Sequence, residues 1–133
     1  TVLVLCTDPE TLDRCLTPLR GTGIGIIIAH KAGDALPVPG TVQITAQGKS
    51  DSDLLDAAIA KATSQWILFL KSNEVISQPQ LVKLVSFLGK QEPPHAYMLT
   101  IRHCTNNTQL ANWIPSKAVA GYSGYMQYTE VRV

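Results

Sequence analysis

Val2 to Cys6 is an unbroken apolar run stopped by Thr7-Asp8-Pro9, the pattern of a strand buried on both faces. Asp8 is placed to cap a helix that has Pro9 at its first position. Leu12, Cys15, Leu16 and Leu19 then recur at the spacing of one buried helical stripe. Gly21-Thr22-Gly23 ends the helix, and Ile24 to Ala29 reads as a second buried strand. The opening of the chain therefore predicts β-α-β, and a crossover through a helix implies a parallel strand pair.

His30 to Gly40 reads as loop, broken by Gly33, Pro37, Pro39 and Gly40. Thr41 to Ala46 alternates weakly, as a third strand would. After a loop over Gln47 to Ser50, Asp51 or Ser52 starts a second helix with Leu55, Ala58, Ile59 and Ala62 on its buried face. Trp66 to Leu70 is fully apolar and predicts a central strand. Ser77 and Gln80 form a capping box; the helix behind them aligns Leu81, Leu84, Val85 and Leu88 and stops at Gly89. Beyond Pro93-Pro94 the pattern changes: Ala96 to Arg102 suits a strand, Cys104 to Gln109 a polar turn, and Asn112 to Val133 antiparallel strands or irregular structure. The expectation is an α/β protein: a three-layer α/β/α sandwich with a mainly parallel sheet and antiparallel strands at its C-terminal end. It would form a single domain over residues 1–133.

Composition narrows the function. Hydrophobic residues make up 45% and charged residues 16% of the 133, which is globular rather than disordered. Eleven basic against ten acidic residues leave a formal charge of +1, so no charge excess exists to grip nucleic acid or an anionic membrane surface. No apolar run approaches the roughly 20 residues needed to span a bilayer. Three cysteines, Cys6, Cys15 and Cys104, with no C-x-x-C, make neither a disulfide framework nor a zinc site and favour a reduced, cytoplasmic setting. The chain does not open on methionine, which reads as a trimmed or excised domain. Asn106-Asn107-Thr108 is a glycosylation sequon that would matter only in a secreted protein.

Few residues suggest chemistry by themselves. Gly21-Thr22-Gly23-Ile24-Gly25 follows a helix and opens a strand, the reverse of a dinucleotide loop. His30, His95 and His103 show no metal-ligand spacing. His103 and Cys104, as strand neighbours, point to opposite faces. Cys6 and Cys15 read as core thiols. His30 is different, because it sits where the C-terminal ends of parallel strands bind ligands. Lys71 to Glu74 holds the same kind of position, between an apolar strand and a capped helix. Trp113, Tyr122, Tyr125 and Tyr128 form either the core of the terminal strands or a protein-binding patch.

Asp56 to Leu88 resembles family 2 glycosyltransferases of the GT-A fold. Ala62-Thr63-Ser64-Gln65-Trp66-Ile67-Leu68-Phe69-Leu70 followed by Lys71-Ser72-Asn73-Glu74-Val75-Ile76-Ser77 is similar to the family's strand W-I-L-F-L-D-x-D-E and the helix after it. Pro9-Glu10-Thr11-Leu12-Asp13-Arg14-Cys15-Leu16 resembles the family's first helix, and Gly124 to Glu130 its Gly-x-x-His-Glu segment. The resemblance implies a nucleotide-binding-like half over 1–92 and a remnant of the acceptor side over 93–133.

It also implies a nucleotide-sugar donor, with Mn²⁺ or Mg²⁺ held by the D-x-D carboxylates. At those two positions stand Lys71 and Asn73. Protonated lysine cannot ligate, and asparagine offers only a neutral carbonyl. The family's base-binding carboxylate falls near His30, and its general base at Glu130, preceded by Thr129. These departures predict a degenerate domain with no cofactor that works as an interaction or regulatory module, with a protein partner or neighbouring domain. Its residual cleft would be lined by Thr7, His30, Asp34, Lys71, Asn73 and Glu74. Two alternatives have a definite chemical content. One is a transferase that replaces the metal with the Lys71 ammonium, or with a displaced site at Glu74 and Asp34, and uses Glu130 as base. The other is a receiver-like signalling domain built on Asp8, although Thr45-Ala46-Gln47 lacks the phosphorylatable aspartate that fold needs.

Overall fold

A computed structural model describes residues 1–31, 36–45, 50–92, 95–110 and 112–133. In it the chain divides into two compact units, Thr1–His95 and Ala96–Val133. The whole is mixed α/β: a four-stranded parallel sheet in the first unit and a three-stranded antiparallel sheet in the second.

In the first unit β1 (Val2–Cys6), α1 (Pro9–Leu16), β2 (Ile26–His30), β3 (Val42–Thr45), α2 (Asp51–Ile59), β4 (Leu68–Lys71) and α3 (Gln78–Leu88) follow one another. The strand order is β3-β2-β1-β4. Every residue of β1 is buried, as expected of an apolar strand flanked by parallel neighbours. Leu3, Leu5, Ile27 and Ala29 point to one face and pack with Leu54 and Ala58 of α2. Val2 and Leu68 belong to the other face, where they share a cavity lining with Leu81, Leu84 and Leu88 of α3. Local signals fix the helix starts. Asp8 accepts from the Glu10 N–H at 3.0 Å, Ser50 caps α2, and Ser77 with Gln80 closes the capping box of α3.

Four details differ from the sequence pattern. The second strand starts at Ile26, because Gly23 has φ +74 and the chain straightens only after it; it also runs one residue further and takes in His30. The strand expected over Trp66 to Leu70 is Leu68–Lys71, set by its register Val2↔Leu68 with β1, and it lies at a sheet edge rather than in the centre. Leu54 rather than Ile59 fills the core under α2; Ile59 is 49% exposed. On α3 Val85 is 50% exposed, so the buried stripe narrows to Leu81 and Leu88 with Leu84 half-buried.

The second unit holds β5 (Met98–Thr105), β6 (Ile114–Pro115) and β7 (Gly124–Val131) in the order β5-β7-β6. The antiparallel expectation for the C-terminal strands holds, but β5 continues through Cys104 and Thr105, which pair with Tyr125 and Gly124. Beyond β7 the N–H groups of Arg132 and Val133 both reach the Tyr97 carbonyl, at 3.0 and 3.4 Å, a β-bulge. Gly124 is required by contact: a Cβ there would meet Trp113 Cε2 at 2.5 Å and press on the Ile114 carbonyl oxygen.

Candidate functional site

The C-terminal ends of β1 and β4 are joined by one side chain that the sequence pattern did not single out. Ser72, fully buried, follows β4, and its Oγ accepts from the backbone N–H groups of Thr7 and Asp8, each at 3.2 Å. The Thr7 and Thr11 hydroxyls lie 3.3 and 3.1 Å from the same oxygen. Thr11 Oγ1 donates to it, so the Ser72 oxygen is the common acceptor that ties the loop after β1 to the end of β4. The Ser72 N–H itself bonds the Leu5 carbonyl at 2.9 Å. The signal was present in the chain: Leu68, Leu70 and Ser72 share one face by strand alternation, so a serine continuing that row is buried and must find partners.

Lys71 to Glu74 form a tight turn. The Glu74 carboxylate accepts from the Lys71 N–H at 2.8 Å, and the Glu74 N–H returns to the Lys71 carbonyl at 2.9 Å. The carboxylate nearest Lys71 and Asn73 is thus turned back onto its own backbone. Asn73 is exposed and Lys71 half-buried. The residues here do not suit a hard divalent ion: an ammonium and a neutral amide stand where anionic oxygens are needed. Among the described residues no group of three or more His, Cys, Asp or Glu side chains is arranged to hold a metal.

His30 is 2% exposed and level with Cys6 and Thr45 in the sheet. Its Nε2 lies 3.2 Å from Gln43 Oε1. Gln43 is oriented by Leu36, whose N–H donates to Oε1 at 2.7 Å while its carbonyl accepts from Nε2 at 2.8 Å. That clamp makes Gln43 Oε1 the acceptor and places the imidazole proton on His30 Nε2. Nδ1 is buried with no hydrogen-bond partner among the described residues. His30 therefore belongs to the strand rather than to the loop after it, and it is buried.

Thr7, Lys71, Asn73 and Glu74 come together through Ser72 and the turn, and His30 ends the neighbouring strand. Asp34 lies outside the described residues. Glu130 belongs to the second unit, where its Oε2 pairs with Nη2 of the nearly buried Arg132 side chain at 2.6 Å. Of the aromatic set, Trp113 is half-buried and Tyr125 lies under Arg102, 4.7 Å from the guanidinium carbon, while Tyr122 and Tyr128 are exposed.

Both thiols of the first unit read as core, and their electrostatics agree. Burial, then Glu74 and Cys6, pushes Cys15 up to about 12; burial and Asp8 raise Cys6. Neither supplies a thiolate near neutral pH. Two cavities of about 380 and 230 Å³ open at the opposite end of the sheet, beside Val2, Ile24 and Leu68 and beside Leu16 and Ile26. No helix of the described residues is long and apolar enough to cross a membrane. Compared with known proteins, the chain matches no family model and no curated protein.

Proposed function

We propose that the chain is a degenerate GT-A-like domain, a three-layer α/β/α sandwich related to family 2 glycosyltransferases, that works as a non-catalytic interaction or regulatory module. One observation carries the reading. At the C-terminal end of β4, Lys71 and Asn73 take the two positions of the metal-binding carboxylates, and the neighbouring Glu74 carboxylate is committed to the Lys71 N–H. The β-α-β opening, the order β3-β2-β1-β4 and the strand-turn-capped-helix joint around Lys71 support kinship with the nucleotide-binding half of that fold.

The reading is tested by thermal shift with a panel of UDP- and GDP-sugars, with and without Mn²⁺. Ligands that bind only the folded state raise its melting temperature by mass action. Silence across the panel supports the module. A shift that needs Lys71, with release of nucleotide diphosphate, replaces it by a metal-independent transferase in which the lysine ammonium neutralises the leaving diphosphate.

A further inference from the structure

The antiparallel sheet treats its two edges differently. β6, at one edge, is two residues long and ends in Pro115, a combination that blunts further pairing. β5, at the other, is eight residues long and has no proline or lysine. Tyr97 N–H donates inward to Val133, so by strand alternation Leu99, Ile101, His103 and Thr105 bond to β7. Met98, Thr100, Arg102 and Cys104 then turn their N–H and C=O groups outward. No described residue hydrogen-bonds those outward groups. The strand's one permanent charge does not guard the edge either, because Arg102 is drawn onto the sheet face over Tyr125. Met98 and the Val131 opposite it are 66% and 58% exposed.

We infer that β5 is a homodimerisation edge: two copies pair β5 to β5 antiparallel across a two-fold axis, giving one continuous sheet. Self-pairing selects its own register. Centred on Ile101, it sets Ile101 against its symmetry mate, Arg102 against Thr100, Met98 against Cys104 and Leu99 against His103, with no like charges facing. Centring on Arg102 instead stacks two guanidinium groups, which directly opposed like charges disfavour. Centring on Thr100 forfeits the pairing of Cys104. An isologous contact of this kind closes on itself and does not propagate into fibres.

Light scattering coupled to size exclusion, run on the full chain over a dilution series, reads the association directly. The native chain is expected to be dimeric when concentrated and to dissociate on dilution. Thr100→Lys, at an exposed position, sets a lysine against Arg102 of the other copy twice per dimer and should weaken association about ten-fold while leaving the far-ultraviolet spectrum unchanged. Met98→Cys should give a reducible covalent dimer with Cys104, because facing strand residues lie within disulfide reach. A native chain that stays monomeric at every concentration overturns the inference. So does a dimer that Thr100→Lys leaves intact, or association only with a different protein.

Discussion

Among the described residues of the first unit's loops, Ser72 gathers the most side-chain hydrogen bonds, and its removal should be costly. Ser72→Ala leaves the part-buried amides of Thr7 and Asp8 without that acceptor. The expected loss is about 1–2 kcal/mol by denaturant titration, since an orphaned buried group costs about 1–3 kcal/mol and water reaches part of these amides. Cys15 gives a pH signature. Its pKa rises from the ordinary 9.0 to about 12 in the fold. The stabilisation from keeping this thiol neutral is therefore complete below pH 9 and is lost as pH climbs towards 12, because the unfolded chain releases the proton first. The slope is at most about 1.4 kcal/mol per pH unit. Cys15→Ala should flatten that part of the alkaline stability curve. A curve of the same slope in the variant would assign the loss to other groups.

At the scale of elements, what the chain spelled out locally is what it spelled out correctly. Asp8-Pro9, Ser77 with Gln80, and the run Val2 to Cys6 each carry their reason within a few residues, and each element starts where the pattern put it, although the first helix gives way to a 3-10 turn over Thr17–Leu19 before the glycines. The choice of Leu54 over Ile59, the edge position of β4 and the exposure of Val85 depend on which strand lies alongside, a relation between distant residues that periodicity does not encode. His30 illustrates the same limit at the site: its partner Gln43 is thirteen positions away and held by Leu36. The second unit was least legible, because its cohesion comes from clamps. Asn106 donates to the Gly121 carbonyl and accepts from the Ser123 N–H, so the sequon asparagine is a structural tie. Gly124→Ala should be worse than an ordinary strand substitution. The added methyl must displace the Trp113 ring or the Ile114 carbonyl, an overpacking cost of about 1–3 kcal/mol, read as a loss of near-ultraviolet tryptophan signal or a lower denaturation midpoint.

For the molecule as a whole, the decisive quantity is a charge close to zero. Eleven basic and ten acidic residues give two copies no appreciable long-range repulsion to overcome, so pairing along β5 would rest on backbone hydrogen bonds and apolar contacts. Salt screens exposed charges over about 10 Å at 0.1 M and about 3 Å at 1 M. The native dissociation constant should therefore change less than about two-fold between low and high salt. Thr100→Lys should behave differently, because its defect is a short-range repulsion between the introduced lysine and Arg102 of the other copy. Salt should restore part of its association. If salt weakened the native dimer strongly and left the variant untouched, attraction between surface charges elsewhere would be holding the copies together, and the edge-to-edge register would be the wrong geometry.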